Sequence, residues 1–250
     1  MRIDSFLFES KKYPSRTKAQ EAVSRGEVSV NGRIILKPSY EVCSSDKIEI
    51  SELALNFVSN GGYKLEKALS EFPVDAFGKI FCDVGASAGG FTDCLLRRGA
   101  KKVYAVDVGD SLLADDLKCD ERVVVIDNYN ARFLDREVLG GKVDAVVCDV
   151  SFISLTYLLK PIFEVIGEDG FAITLIKPQF EVGKKALNKN GIVTRAEDRK
   201  NAVKKIYEYG ISVGLYPKAF TTAPIVPEKN VEYLILWTKS ASDKLPFEKF

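Results

Sequence analysis

The chain contains no histidine. That absence excludes Ser-His-Asp and Cys-His nucleophilic chemistry, so any proton transfer falls to Lys, Asp, Glu, Tyr or Cys. The five cysteines, Cys43, Cys82, Cys94, Cys119 and Cys148, include no C-x-x-C pair and are odd in number. This argues against a disulfide framework and against a zinc site. No apolar run approaches the roughly 18 residues of a membrane-spanning helix. The opening MRIDSFLFESKK carries acids where a signal peptide would have its apolar core. A cytoplasmic protein without membrane insertion is therefore expected. Charge of one sign is lacking too: the net charge is +1, and the first fifty residues hold nine Lys and Arg against seven Asp and Glu. A basic patch must come from arrangement rather than abundance. Internal repeats and low-complexity segments are also missing, and 46% apolar with 28% charged residues is ordinary for a globular chain.

What is present falls into two blocks. In RIDSFLFES, Ile3, Phe6 and Leu7 have the i, i+3, i+4 spacing of one helix face. Pro14-Ser15 starts and Gly26 stops a second helix. EVSVNGRIILK then alternates as a strand hairpin turning at Asn31-Gly32, and DKIEI closes the unit. After a Ser/Asn/Gly cluster in SELALNFVSNGG, strands alternate with helix-length segments: KIFCDVG, KKVYAVDVG, RVVVID, VDAVVCDVS, FAITLIK, part of ISVGLYPKAFTTAPI, and VEYLILWT. That alternation predicts a Rossmann-like, doubly wound α/β domain behind a small α+β domain. The expected boundaries are 1–55, a linker over 56–63, the α/β domain over 64–240, and a tail over 241–250.

The chemistry-bearing residues gather at predicted strand ends. FCDVGASAGGFTDCLLRRGA reads as strand, glycine-rich turn and helix, with Gly85, Gly89 and Gly90 permitting a tight turn and close approach to a ligand. Neither G-x-G-x-x-G nor a P-loop is spelled. Asp83, Asp107 and Asp127 end three successive strands, where ligands of doubly wound sheets bind. Such acids suit a ribose diol, an amino group and an adenine, and they repel the 2′-phosphate of NADP. S-adenosyl-L-methionine fits better than NAD. Lys177 ends the apolar run Phe171–Ile176 and precedes Pro178, which holds it extended at the strand mouth.

Ordered motifs carry two resemblances. RIDSFLFE, SRTKAQEAVSRGEVSVNGRIILKPSYEV and DKIEI resemble an S4 RNA-binding domain, which implies RNA contacts at Arg2, Ser15, Arg16, Lys18, Arg25, Asn31 and Lys37. FVSNGGYKLEKAL, DVGASAGGFTDCLLRRGAKKVYAVDVG, CDVSFISL, LIKPQFEVG and NVEYLI resemble the TlyA (hemolysin A-like) family. Its members are S4-domain ribosomal RNA 2′-O-methyltransferases with an FtsJ/RrmJ-type catalytic domain. The resemblance implies a Lys-Asp-Lys-Glu tetrad at Lys64, Asp149, Lys177 and Glu232. It also implies a cofactor cradle of Asp83, Gly85, Ala86, Ser87, Gly89, Gly90, Phe91, Asp107, Val108, Asp127, Asn128 and Asp149, with rRNA or a ribosomal subunit as partner and cytidine as the modified nucleotide. Lys177 is expected to be the base, its charged form disfavoured by burial and a neighbouring cation. Glu232 reaches the site if the last strand is antiparallel. Where the family usually has SRGG this chain has SNGG, so Asn60 stands for an arginine. Rival readings are a non-catalytic RNA-binding protein, a haemolysin-like membrane-active protein and a base methylase. The first would lose tetrad members, and the second would need a long amphipathic or apolar segment. The third often carries an Asn/Asp-Pro-Pro-aromatic motif where this chain reads DVSF.

Overall fold

The structure, a computed structural model, describes residues 1–24, 26–50, 57–225 and 229–249. Arg25 and most of the expected join (51–56) lie outside the described residues. The chain divides between Asn56 and Phe57 into two compact units.

In the first unit, α1 (Ile3–Glu9) and α2 (Arg16–Ser24) precede a three-stranded antiparallel sheet. Its strands β1 (Val28–Val30), β2 (Arg33–Ile34) and β3 (Ile48–Ile50) lie in the order β2-β1-β3. Ile3 and Leu7, one helical turn apart, bury fully against Ala19, Val23 and Val28, while Phe6 stays half-buried at the margin. Asn31 and Gly32 take φ +52° and +77°, the conformation a two-residue hairpin needs. The Asn31 amide donates to Asp46 Oδ1 and accepts from the Lys47 N–H, both at 2.9 Å. That side chain therefore fastens the hairpin to the turn before β3, and it remains exposed.

The second unit holds a seven-stranded sheet flanked by helices. In chain order it comprises α3 (Gly61–Glu71), β4 (Ile80–Val84), α4 (Gly90–Arg97), β5 (Lys102–Val106), α5 (Asp115–Lys118) and β6 (Val123–Ile126). There follow β7 (Val143–Cys148), α6 (Leu159–Val165), β8 (Ile166–Ile176), α7 (Pro178–Glu181), α8 (Ala196–Ser212), β9 (Tyr216–Thr222) and β10 (Tyr233–Thr238). The sheet order is β6-β5-β4-β7-β8-β10-β9, with β4 to β8 parallel and β10 antiparallel to both neighbours. Each apolar strand buries both faces by alternation. Phe81, Ile173 and Leu234 pack under α3 and α4 with Leu65, Leu69 and Leu95. Val84, Ala172, Ile235 and Trp237 pack under α6 and α8 with Leu159, Ile162, Val203 and Ile206. The one indole, fully buried, donates to Thr174 Oγ1 at 2.9 Å, so neither polar atom is orphaned.

Two boundaries differ from expectation. Residues 57–63 are not a linker: Phe57 is buried edge-to-face on Tyr63 (5.0 Å), Val58 N donates to Asp93 Oδ2 (2.9 Å), and α3 begins at Gly61. The segment 241–249 is not a loose tail. Leu245 N donates to Pro217 O (2.8 Å), Tyr207 Oη donates to Leu245 O (3.1 Å), and Phe247 lies 5.3 Å from the Tyr207 ring.

Candidate active site and nucleic-acid face

From β4 the chain works outward through β5 and β6, then returns to β7 on the other side of β4. At such a reversal the loops leave the sheet in opposite directions and open a crevice at the strand ends. Here the two loops come close: Gly85 has φ +82°, and a Cβ on it would lie 2.7 Å from the Asp149 carbonyl oxygen. At Gly90 a Cβ would lie 2.9 Å from Gly62 N, so the starts of α4 and α3 touch backbone to backbone. That approach seats Lys64, one turn into α3, beside the crevice.

All four expected tetrad residues come together. Asp149 leaves β7 and Lys177 leaves β8, the neighbouring parallel strand. Because β10 is antiparallel and pairs Tyr233 with Ile176, Glu232 arrives at the same level. Lys177 Nζ lies 2.5 Å from Asp149 Oδ1 and donates to Ser151 Oγ at 2.9 Å. Lys64 Nζ lies 2.7 Å from Glu232 Oε2 and 3.6 Å from Asp149 Oδ2. The side chains are recessed, 11% exposed for Lys177 and 21% for Lys64. Burial pulls the Lys64 pKa down, but Asp149 and Glu232 outweigh it, so the net shift is upward and Lys64 is a fixed cation. Asp149 thus bridges two lysines of different standing: Lys64 pairs with a second carboxylate, Lys177 with a hydroxyl.

Two connected spaces flank this cluster. The larger, about 550 Å³, is lined by Gly85, Ser87, Asp107, Val108 and Asp149 among the expected residues. A recess of about 160 Å³ adds Ala86, Gly90, Phe91 and Lys177. Asp107 accepts from Ser87 N and Gly109 N, both at 2.8 Å, which holds its carboxylate at the crevice wall.

Four expected cradle residues line neither space. Gly89 is the left-handed residue entering α4 (φ +94°). Asp83 is fully buried and accepts from Thr92 Oγ1 at 2.7 Å. Burial, with Asp149 and Asp107 nearby, pushes its pKa up to about 7 against the Thr92 hydrogen bond. Asp127 accepts from Ser111 N (3.1 Å) and Asn128 donates to Asp110 Oδ1 (3.2 Å), so both brace the 109–111 loop. Asn128 turns the chain at φ +57°, and it is Tyr129, Asn130 and Arg132 that line the crevice. The sequence reading missed these three, together with Leu112, Ser151, Phe152 and Ser59. The strand-end acids drew attention one turn too early. Phe152 carries its own signal, an aromatic in CDVSF beside Asp149. Its ring is 91% exposed, its φ is +65°, and it lies 5.1 Å from Phe180.

In the first unit, Asp4 collects two of the expected cations, Arg2 and Arg16. Its buried carboxylate accepts from Arg2 Nε (3.1 Å) and Nη2 (2.9 Å), Arg16 Nε (3.1 Å) and Gln20 Nε2 (2.7 Å). Burial alone would raise the Asp4 pKa, but Gln20, Arg2 and Arg16 lower it to about 2. Both arginine side chains remain about half exposed, at 44% and 48%. Ser15 Oγ accepts from Lys18 N (3.2 Å), capping α2, while Lys18 Nζ lies 3.5 Å from Glu21. Lys37 is exposed.

A doubly wound sheet with a lysine–carboxylate cluster at its switch point, behind a small S4-like unit, defines a methyltransferase of the FtsJ type. The S4 domain family matches residues 1–48 and the FtsJ-like methyltransferase family residues 57–239. The chain belongs to the TlyA (hemolysin A-like) family. It is 41% identical to Hemolysin A of Brachyspira hyodysenteriae over 94% of this chain and 98% of that one. It is 38% identical to the 16S/23S rRNA (cytidine-2′-O)-methyltransferase TlyA of Mycobacterium tuberculosis over 97% and 91%. A solved hemolysin-named structure from Streptococcus thermophilus superposes with TM-score 0.73 at 33% identity, covering 97% of this chain and 89% of that one. Among the described residues no helix is long and apolar enough to cross a membrane.

Proposed function

We propose that the protein transfers a methyl group from S-adenosyl-L-methionine to a ribose 2′-hydroxyl of ribosomal RNA, at cytidine, with the S4 unit holding the RNA. The observation that carries this is the Lys64–Asp149–Lys177–Glu232 cluster, of which Asp149 and Lys177 line the recess. The residues present fit the cofactor. Val106, Val108, Leu112 and Leu158 offer apolar walls for a heteroaromatic ring, Asp107 offers acceptors for a ribose diol, and the recess by Lys177 suits the amino-acid end. Among the described residues one oxygen of buried Asp83 has no hydrogen-bond partner, a polar atom next to the glycine turn that a cationic amino group would complement. When bound, the cofactor supplies an electrophilic methyl on sulfur.

A ribose hydroxyl is a weak nucleophile and must lose its proton as the oxygen–carbon bond forms and the carbon–sulfur bond breaks. Lys177 Nζ accepts that proton. For this the amine, paired with Asp149 Oδ1 at 2.5 Å, must first release a proton to solvent; Asp149 and Ser151 then fix its direction. Lys64, held cationic by two carboxylates, balances the charge that develops on the oxygen. The exposed Phe152 ring, backed by Phe180, gives an unstacked base a face to lie on. Arg2 and Arg16 meet phosphates with the N–H groups that Asp4 leaves free.

Mapping of ribose methylation in rRNA from cells with and without the protein tests this reading. Cytidine 2′-O-methyl sites that vanish with the protein support it. Unchanged ribose methylation together with a missing base methylation would overturn it.

A further inference from the structure

The segments leaving β7 and β8 run side by side beyond the catalytic pair, and they are joined a second time about one helical turn further on. Glu181 ends α7, four residues after Lys177. Its side chain is 1% exposed. Ser154 Oγ donates to its Oε2 at 2.6 Å, Leu155 N donates to its Oε1 at 2.8 Å, and Lys205 Nζ from α8 donates to Oε2 at 2.9 Å. Lys205 Nζ also reaches Ser154 Oγ and the Glu181 carbonyl, each at 3.3 Å. A carboxylate so buried is tolerated only because every donor is in place.

Between the two joins lie Ser151, whose hydroxyl accepts from Lys177, and Phe152, in a left-handed backbone conformation that costs a β-carbon residue energy. Its exposed ring cannot hold that conformation by burial. The hold comes from the flanks, Asp149 with Lys177 on one side and Ser154 with Glu181 on the other.

We propose that Glu181, with Lys205, is a positioning residue of the methyl-transfer site: a buried latch that fixes the 151–154 loop and so the hydroxyl that aims Lys177. The inference rests on the proposed role of Lys177 as base, and it requires no contact between Glu181 and substrate. Displacements of about an ångström at a reacting group cost up to about a hundredfold in rate, so a second tie here has catalytic weight.

The test uses the full chain carrying Glu181→Gln, which keeps an acceptor for Leu155 N and loses the charge, and Lys205→Met, which removes the third leg from a half-exposed position. Amide exchange read at residues 151–156 needs no substrate. It should quicken by about tenfold or more in Glu181→Gln and by less in Lys205→Met, with β4 and α4 unchanged. In the same variants kcat should fall about tenfold while KM for RNA stays within about twofold. Unaltered exchange at 151–156 would overturn the latch. So would faster exchange with kcat per folded molecule unchanged. If exchange quickens but wild-type protein methylates no ribose, the loop tie stands and the reading of Lys177 is what fails.

Discussion

The two units gather cations around a carboxylate in opposite ways. In the first, one buried acid, Asp4, holds two arginines whose side chains stay about half exposed. In the second, Asp149 and Glu232 draw two lysines into a recess where little of either is exposed. A guanidinium never gives up its proton and presents several donors at once, which suits a phosphate that must be met and released. An amine can shed its proton when its surroundings allow, which suits a step in which a hydroxyl must lose one. On the proposed reading, one arrangement displays charge and the other prepares a base.

Breaking the recessed side should have the larger effects. Asp107→Ala removes the acceptor at the crevice wall and should weaken S-adenosyl-L-methionine binding about tenfold or more by calorimetry, as expected for a hydrogen bond to a charged group. Binding equal to wild type would move the ribose diol to another residue. On the displayed side, Arg16→Ala should flatten the salt dependence of RNA binding by about one unit of slope for each phosphate it no longer neutralises. Asp4→Asn should weaken binding although both arginines remain, because it releases their pose. An Asp4→Asn protein with wild-type RNA affinity would make the clamp purely structural. Its pH signature is distinct. With the folded pKa depressed to about 2, the Asp4 contribution is fully present above the unfolded value and lost as pH falls toward about 2.

The remaining prediction concerns Asp83, where the sign is reversed. Its folded pKa is raised to about 7. Between the unfolded value near 4 and about 7, the native state keeps a proton that the unfolded chain has lost, so stability declines as pH rises through that window. Asp83→Asn should flatten this decline in a denaturation series from pH 4 to pH 8. A slope identical to wild type would show that the buried carboxyl ionises normally.

Much of this was legible in the sequence, and the exceptions have physical causes. Strand identities followed from apolar runs bounded by glycine and charge; the tetrad followed from the family resemblance, with the strand reading placing only Asp149 and Lys177 at neighbouring strand mouths. Glu232 depended on strand direction, which the chain alone left conditional and the Tyr233–Ile176 register now supplies. The lining of the crevice was read less fully than the tetrad. Asp127 and Asn128 brace a loop, and the left-handed turn at Asn128 passes the lining role to Tyr129 and Asn130. Asn31 was expected at the RNA because the S4 resemblance implies it; that its side chain also ties the hairpin to Asp46 is a tertiary pairing the local sequence does not announce. Phe57 and Phe247 bury by packing with other rings, and local composition carries no trace of that.

The central claim is that the two recessed lysines differ, Lys177 as base and Lys64 as fixed cation. Single-turnover methyl transfer by Lys177→Arg and Lys64→Arg, measured side by side across pH, tests it directly. Lys177→Arg should lose about 10²–10⁴-fold at every pH with cofactor binding close to normal, since a guanidinium cannot accept the proton. Lys64→Arg keeps the charge and should retain measurable transfer. Substantial activity in Lys177→Arg would contradict the account, because the lysine at the strand mouth would then be serving only as a positive charge.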